Sequence, residues 1–220
     1  MARPFPTKRT VLLAVVLLIA VAGFWYGQRE VGDTKSEAAP ASAAEATKQL
    51  SELKIGTRGT MTGYSRDKFK HWDSQGDSCD TREVVLKRAG KDVKAGSDCK
   101  PTAGTWVSVY DGQTWTKATQ LDIDHMVPLG QAWVSGARDW TQEKREQFAN
   151  DLTRPQLFAV TASVNRQKSD KAPDEWKPPL VSFWCTYATD WVTVKHFYGL
   201  TITDMEKTAL QDMLKRCPAS

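Results

Sequence analysis

Long hydrophobic segments are scarce in this sequence of 220 residues. The one extended run without a charge covers residues 11–26, sixteen residues in all, so a membrane protein with several spans is excluded. There is no internal repeat, and a content of 40% hydrophobic and 25% charged residues excludes a wholly disordered chain or a collagen. The length suits one globular domain or two small ones.

An excess of charge of one sign is also lacking. The chain has 30 Lys and Arg against 26 Asp and Glu, a net charge of +4. Three of the positive charges, Arg3, Lys8 and Arg9, lie in the first ten residues, where no acidic residue occurs. Without them, 27 basic residues face 26 acidic ones. A nucleic-acid function therefore has to rest on local chemistry rather than on the overall charge.

Residues 1–26 have the pattern of an export signal. A basic start precedes the apolar run 11–26, and Ala20 and Ala22 have the small-residue spacing of a cleavage site. The aromatic cluster that ends the run also fits the membrane interface of an uncleaved anchor. A signal peptide and an N-terminal membrane anchor both stay open, and either predicts a protein that is secreted or tethered to the outer face of the cell membrane. Residues 27–44, rich in small, proline and charged residues, predict a flexible linker.

The four cysteines lack the C-x-x-C spacing of zinc ribbons and thioredoxin-like motifs. An even number of cysteines in an exported protein is typical of disulfides. Cys185 and Cys217 follow helical apolar patterns on two consecutive segments, so that both side chains can face one seam. Of the three pairings that four cysteines allow, the two local bridges, Cys79–Cys99 and Cys185–Cys217, are favoured.

Hydrophobic patterns from residue 45 onward predict an α+β domain with strands in the middle and helices around them. Thr203 and Glu206 predict a capping box that opens the last helix, with Met205 on its apolar face. The dipeptide Asp111-Gly112 predicts a hairpin turn between two strand patterns. The strand patterns cover 105–110 and 114–124, and a short apolar stretch covers 157–160. A cap at Ser163 or a neighbour predicts a helix through 165–168. The other predicted helices cover 45–55, 81–88, 129–135 and 141–150, and further helices lie within 182–217.

The segment LDIDHMVP, residues 121–128, brings two carboxylates and a histidine to the end of a strand. Strand alternation puts Asp122 and Asp124 on one face and His125 on the other, unless the strand ends there. Carboxylate oxygens are good Mg²⁺ ligands, and a neutral imidazole is a good general base near pH 7. Taken alone, the Asp-His pair is more typical of an ordinary surface or core histidine.

Two further segments combine residues that suit nucleic acid. In VNRQKSDK, residues 164–171, Asn165 offers a neutral oxygen to a hard cation, while Arg166, Lys168 and Lys171 offer positive charge to a phosphodiester. The segment KFKHW, residues 68–72, mixes basic and aromatic side chains. That mixture fits either stacking on bases or a loop packed by its own aromatics.

The combination of these motifs resembles the HNH, or His-Me finger, endonucleases, in which a β-hairpin and a helix hold one divalent metal ion against the scissile phosphate. The resemblance extends to an exported branch of the family, from about Tyr64 to Cys217. The shared segments include C-D-T-R-x-x-V-L from Cys79, F-A-N-D at 148–151 and P-x-x-W-x-P-P at 173–179. The resemblance implies a ββα-metal core within a mainly helical domain, residues 45–220, with the core motifs in 105–177.

The resemblance implies a role for each matching residue. His125 corresponds to the general base that takes a proton from the attacking water, and Lys168 to a basic position near the phosphate backbone. Asp124 and Asn165 correspond to the protein ligands of the divalent metal, which is expected to be Mg²⁺, with Mn²⁺ as the alternative. The residues expected to orient these groups or to contact the substrate are Asp122, Asn150 and Arg166.

Several features leave room for other interpretations. Asn150 also fits a helix C-cap, and Asp122 also fits a strand-end hydrogen bond. The final histidine of the strict H-N-H pattern is missing, because after Asn165 the next histidine is His196, in a helical context. The long separation between the two motifs requires an inserted helical region.

The activity that the resemblance implies is hydrolysis of phosphodiester bonds, of DNA rather than RNA, outside the cytoplasm. Its products would be a 5′-phosphate and a 3′-hydroxyl. A membrane tether through the N-terminal segment is an expected contact, and no protein partner is expected. The alternative is a catalytically inactive extracytoplasmic binding module that keeps the fold.

Overall fold

The computed structural model of the protein describes residues 41–218. The predicted signal peptide or anchor, residues 1–26, lies outside the described residues, as do residues 27–40 of the predicted linker. The first described helix begins at Ala43, so the last two residues of that predicted linker are helical. Within the described range, no helix is both long enough and apolar enough to cross a membrane.

Seven α-helices and seven short strands make up this part of the chain, which confirms a mixed α+β fold. The helices are α1 (Ala43–Glu52), α2 (Thr81–Ala89), α3 (Leu129–Val134), α4 (Gln142–Ala149), α5 (Ala162–Lys168), α6 (Trp184–Tyr198) and α7 (Asp204–Leu214). The strands are β1 (Ser74–Gly76), β2 (Cys79–Asp80), β3 (Gly90–Ala95), β4 (Pro101–Val107), β5 (Thr114–Trp115), β6 (Leu121–His125) and β7 (Leu157–Thr161). They pair antiparallel in three small sheets, β1-β2, β3-β4-β5 and β6-β7.

Local hydrogen bonds set the limits of α2. The carboxylate of Asp80 accepts from the backbone N–H of Glu83 at 3.0 Å, and the Glu83 carboxylate accepts from the N–H of Asp80 at 3.1 Å. This reciprocal cap satisfies two N–H groups at the start of the helix that have no partner within it. The helix ends at Gly90, where an added Cβ would lie 2.5 Å from the indole nitrogen of Trp106.

The hairpin predicted over 105–124 is correct only near its turn. β4 and β5 pair through Trp106 with Trp115 and Val107 with Thr114. β5 then stops at Trp115, and a 3₁₀ turn at 118–120 redirects the chain. The following strand, β6, pairs with β7 instead. The partner is the apolar stretch predicted near 157–160, and local turn residues do not reveal a pairing over such a distance.

The β6-β7 pair lies between two helices and two hydrophobic clusters. Leu121, Ile123 and Leu157 face α2, in a small cluster that also holds Trp106. The opposite face carries α5, and the chain just beyond β6 enters the larger cluster around α6. The sheet is therefore buried on both faces, which fixes the direction of each polar side chain that it carries.

The two C-terminal helices and both local disulfides are present as predicted. Cys79 is bonded to Cys99, and Cys185 to Cys217. Of the predicted capping box, only the Thr203 half forms: the Thr203 hydroxyl accepts from the N–H of Glu206 at 3.1 Å and caps α7.

The prediction of Met205 on the apolar face of α7 is wrong, because this side chain is 70% exposed. The inward position belongs to the next residue, Glu206. The Glu206 carboxylate accepts from Trp191 Nε1 and from Lys195 Nζ, each at 2.7 Å. Apolar periodicity does not reveal a buried carboxylate of this kind.

Candidate active site

Two strands and the helix that follows them form a ββα unit. β6 and β7 pair in unbroken register, from Leu121 opposite Thr161 to His125 opposite Leu157. α5 begins at Ala162, directly after β7, and packs on both strands. The helix start predicted at Ser163 or a neighbour is therefore correct to within two residues. The chain between the strands carries α3 and α4, the inserted helical region that the motif spacing requires.

One face of β6 meets α5 through two pairs of side chains. Asn165 Nδ2 donates to Asp122 Oδ2 at 3.3 Å, and Lys168 Nζ donates to Asp124 Oδ2 at 2.6 Å. Positions three apart lie on the same side of a helix, so the two pairs are adjacent. The Asp122 side chain is 38% exposed and has Arg166 at 4.0 Å, whereas the Asp124 side chain is only 6% exposed. The first pair is open to solvent and the second is closed.

The ammonium group of Lys168 points into the protein. It is fully buried and donates to the carbonyls of His125 at 2.7 Å and Met126 at 3.0 Å, as well as to Asp124. All three of its hydrogens therefore have acceptors. In this arrangement the side chain has no exposed surface with which to contact a phosphate, and it ties α5 to the end of β6.

The carboxylate of Asp124 has two partners on the same oxygen. The hydroxyl of Tyr110 donates to Oδ2 at 2.5 Å, beside the bond from Lys168. Burial raises the pKa of Asp124 and lowers that of Lys168, while the contact between the two charges opposes both shifts. The pair is therefore held together by mutual stabilisation inside the protein.

His125 lies on the other side of the strand, as the alternation predicts. Its Nε2 is 3.0 Å from the carbonyl of Ala149. A carbonyl can only accept, so Nε2 carries the hydrogen and Nδ1 keeps its lone pair in the neutral ring. The ring is stacked with Trp72, with 6.1 Å between the ring centroids and 27° between the planes. Burial lowers the pKa of His125 to about 3, so the ring is neutral at physiological pH.

Asn150 ends α4 and also braces the chain that covers His125. Its Nδ2 donates to the carbonyl of Lys70 at 3.0 Å, and its Oδ1 accepts from the N–H of Asp73 at 3.0 Å and from the hydroxyl of Thr81 at 2.8 Å. Its own N–H closes the last turn of the helix. The C-cap interpretation of this residue is correct. Trp72 lies between the two braced residues.

The donor groups on the α5 face suit a hard divalent cation. They are the carboxylates of Asp122 and Asp124 and the carboxamide of Asn165, all of which offer oxygen. Since Asn165 turns its Nδ2 towards Asp122, its Oδ1 remains as a donor atom. Residues 41–218 contain no cluster of three or more His, Cys, Asp or Glu side chains arranged for a metal. Oxygen donors of this kind are the type that Mg²⁺ and Mn²⁺ take.

Sequence reasoning missed two aromatic residues of this region. Tyr110 appears in the sequence only as a strand residue, although its hydroxyl holds Asp124. Trp72 belongs to the 68–72 segment, whose basic and aromatic composition was the one available signal. A groove of about 580 Å³ opens beside Trp72 and is bordered by Cys79 and Lys100.

Comparison with known proteins relates the chain to a restriction-endonuclease family and to a secreted protein. The profile of the family described as GmrSD restriction endonucleases, C-terminal domain, matches residues 65–213. An uncharacterized secreted protein of Arthroderma benhamiae is 52% identical over 176 residues, which cover 80% of this chain and 86% of that protein. No solved structure matches the chain. The range that the family matches contains the whole ββα unit.

Proposed function

Because the chain belongs to the family of the GmrSD restriction endonuclease C-terminal domain, we propose that it is a metal-dependent HNH-type nuclease that hydrolyses DNA outside the cytoplasm. The observation that carries this proposal is the ββα unit, with His125 at the end of β6 held in one neutral tautomer. Membership of the family supports a nuclease-like function. The secreted relative supports an extracellular location.

His125 is the proposed general base. The carbonyl of Ala149 orients the ring through Nε2–H, so that Nδ1 is the atom that accepts a proton from water. Stacking with Trp72 restricts rotation of the ring and keeps that lone pair in place. When Nδ1 takes the proton, the ring becomes a cation, and its hydrogen bond to the Ala149 carbonyl becomes charge-assisted. The water oxygen then forms a bond to phosphorus, and the bond to the 3′-oxygen breaks.

Asp122, Asp124 and Asn165 are the residues proposed to hold the divalent cation. When bound, Mg²⁺ or Mn²⁺ would neutralise charge on the phosphate and on the leaving oxygen. Tyr110 and Lys168 both bond Oδ2 of Asp124, which leaves Oδ1 for the cation. Lys168 is therefore proposed as a positioning residue that fixes Asp124, in place of the expected contact with the phosphate backbone.

A plasmid-nicking assay with Mg²⁺, Mn²⁺, Ca²⁺ or EDTA tests this function. We expect nicking that EDTA abolishes, and a loss of roughly 100-fold or more in rate for His125→Ala, since general-base catalysis contributes about 10²–10⁴-fold. His196→Ala is the matched control, because His196 lies on α6 and pairs with Glu52 at 2.8 Å. This control should nick as well as the parent.

Two outcomes would contradict the proposal. A plasmid left intact by the parent protein with every ion would remove the enzymatic function and favour the alternative, a binding module that keeps the fold. Nicking by His125→Ala at the parental rate would show that His125 is not the base.

A further inference from the structure

A short segment, residues 66–72, covers the His125 side of β6. It starts with a 3₁₀ turn, Arg66–Lys68, and is anchored by Phe69, which is fully buried. It ends at Trp72, whose backbone lies in the left-handed region with a φ of 65°. Such a backbone is strained for a bulky residue and persists only where neighbours hold it. Here Asn150 holds the chain on both sides of Trp72, because its Nδ2 donates to the carbonyl of Lys70 and its Oδ1 accepts from the N–H of Asp73.

Within this segment, His71 orients the guanidinium group of Arg66. Nδ1 of His71 lies 2.8 Å from the carbonyl of Phe69, which can only accept, so Nδ1 carries the hydrogen. The lone pair of Nε2 then accepts from Arg66 Nε at 3.4 Å. The ring of His71 is 6.5 Å from that of His125 between centroids. The two histidines are thus neighbours, and Arg66 is bonded to the outer one.

The positive charge of Arg66 is exposed and uncompensated. Among residues 41–218, no ion pair joins its guanidinium to a carboxylate, and its hydrogen bond goes to Nε2 of His71. Lys70, in the same segment, differs in being paired with Glu146 at 2.8 Å. Arg66 therefore offers positive charge beside His125. Lys168 does not, because its ammonium group points into the protein.

We propose that Arg66, oriented by His71, binds a phosphate of the nucleic-acid strand next to the bond that His125 attacks. The assignment rests on the proposed function and names a substrate-binding residue that the sequence motifs do not include. Nε of Arg66 is bonded to His71, and the four N–H groups on its two terminal nitrogens form the fork that binds two phosphate oxygens. His71 is a positioning residue that acts through Arg66.

Binding of a short fluorescein-labelled DNA duplex, followed by anisotropy in Mg²⁺, tests this assignment. All proteins carry His125→Ala, so that the duplex is not cut. With Arg66→Gln we expect about tenfold weaker binding, and a slope of log affinity against log salt that is smaller by about 0.9 between roughly 50 and 200 mM NaCl, as for the loss of one phosphate contact. Lys207→Gln, in the groove between α1 and α7, removes the same charge and should keep the parental slope.

Two substitutions of His71 separate positioning from packing. His71→Gln keeps an oxygen that can accept from Arg66 Nε and should bind DNA like the parent. His71→Leu removes the acceptor and should lower the salt slope as Arg66→Gln does. In the cleavage-competent protein, Arg66→Gln and His71→Leu should raise KM more than they lower kcat.

The results distinguish this inference from the proposed function. An unchanged salt slope in Arg66→Gln, or no binding of DNA by the parent, would overturn the assignment of Arg66. Binding that depends on Arg66 in a protein that never nicks a plasmid would support the assignment and contradict the nuclease.

Discussion

Two buried nitrogen bases lie near the end of β6, and their partners decide their charge. Lys168 has a carboxylate and two carbonyls around its ammonium group, which compensates for the loss of water. His125 has one carbonyl on Nε2 and a tryptophan on its face, with no carboxylate bonded to it. Lys168 is therefore suited to remain charged, while His125 is suited to act as a neutral base.

The burial of His125 predicts a loss of stability in mild acid. Its pKa is about 3 in the folded protein against 6.5 for the ordinary group, so between these values the unfolded chain binds a proton that the folded protein does not. Its contribution is complete above pH 6.5 and falls with pH towards about 3, by up to roughly 1.4 kcal/mol per unit. Urea unfolding of the parent and of His125→Gln over about pH 7 to 4 measures the difference. Parallel curves for the two proteins would contradict the prediction.

At the scale of elements, the ββα unit depends on how α5 is held against β6. The helix has only seven residues and no side-chain cap at its N-terminus. Such a short helix is not stable by itself and needs tertiary contacts. Asn165 and Lys168 supply two of these contacts, and Lys168 also bonds the carbonyls at the end of β6.

Removal of the Lys168 ammonium group should strongly destabilise the protein. Lys168→Met leaves the carboxylate of Asp124 buried without its counter-charge, which typically costs about 3–5 kcal/mol. Lys171→Met is a control on exposed chain and should change the free energy of unfolding by less than about 0.5 kcal/mol. Urea unfolding checks both, and the double variant Lys168→Met/Asp124→Asn should recover part of the loss. Equal stability of the two single variants would show that the pair is not essential to the unit.

At the scale of the whole molecule, two disulfides close loops in different regions. Cys79 and Cys99 are 20 residues apart, and Cys79 borders the groove beside Trp72. Cys185 and Cys217 are 32 residues apart and join the start of α6 to the chain after α7. Loops of these lengths correspond to about 3–4 kcal/mol each in the chain-entropy account.

The two bridges should therefore differ in their effect on activity. Replacement of either pair by serine should lower the free energy of unfolding by about 3–4 kcal/mol. Loss of Cys79–Cys99 should also reduce nicking below the melting temperature, because it loosens the chain next to Trp72 and hence the cover of His125. Loss of Cys185–Cys217 should leave nicking nearly unchanged below the melting temperature. Equal activities of the two serine variants would contradict this difference.

Features that depend on near neighbours were predictable from the sequence. The Thr203 cap of α7, the turn after β4 and the helical seam of Cys185 and Cys217 follow from residues a few positions apart or from one periodic pattern. The strand alternation that separates Asp124 from His125 belongs to the same class. Such features arise from local backbone geometry, which each short segment carries with it.

Only the tertiary structure decided the state of the candidate site. The pairing of β6 with β7, the inward turn of Lys168 and the carbonyl of Ala149 on His125 all join residues that are far apart along the chain. Burial in these contacts raises the pKa of Asp124 and lowers those of Lys168 and His125, while the contact between Lys168 and Asp124 opposes the shifts of that pair. The sequence by itself determined which reactive groups are present and which local elements carry them. Their accessibility, tautomer and charge were determined when distant segments packed together.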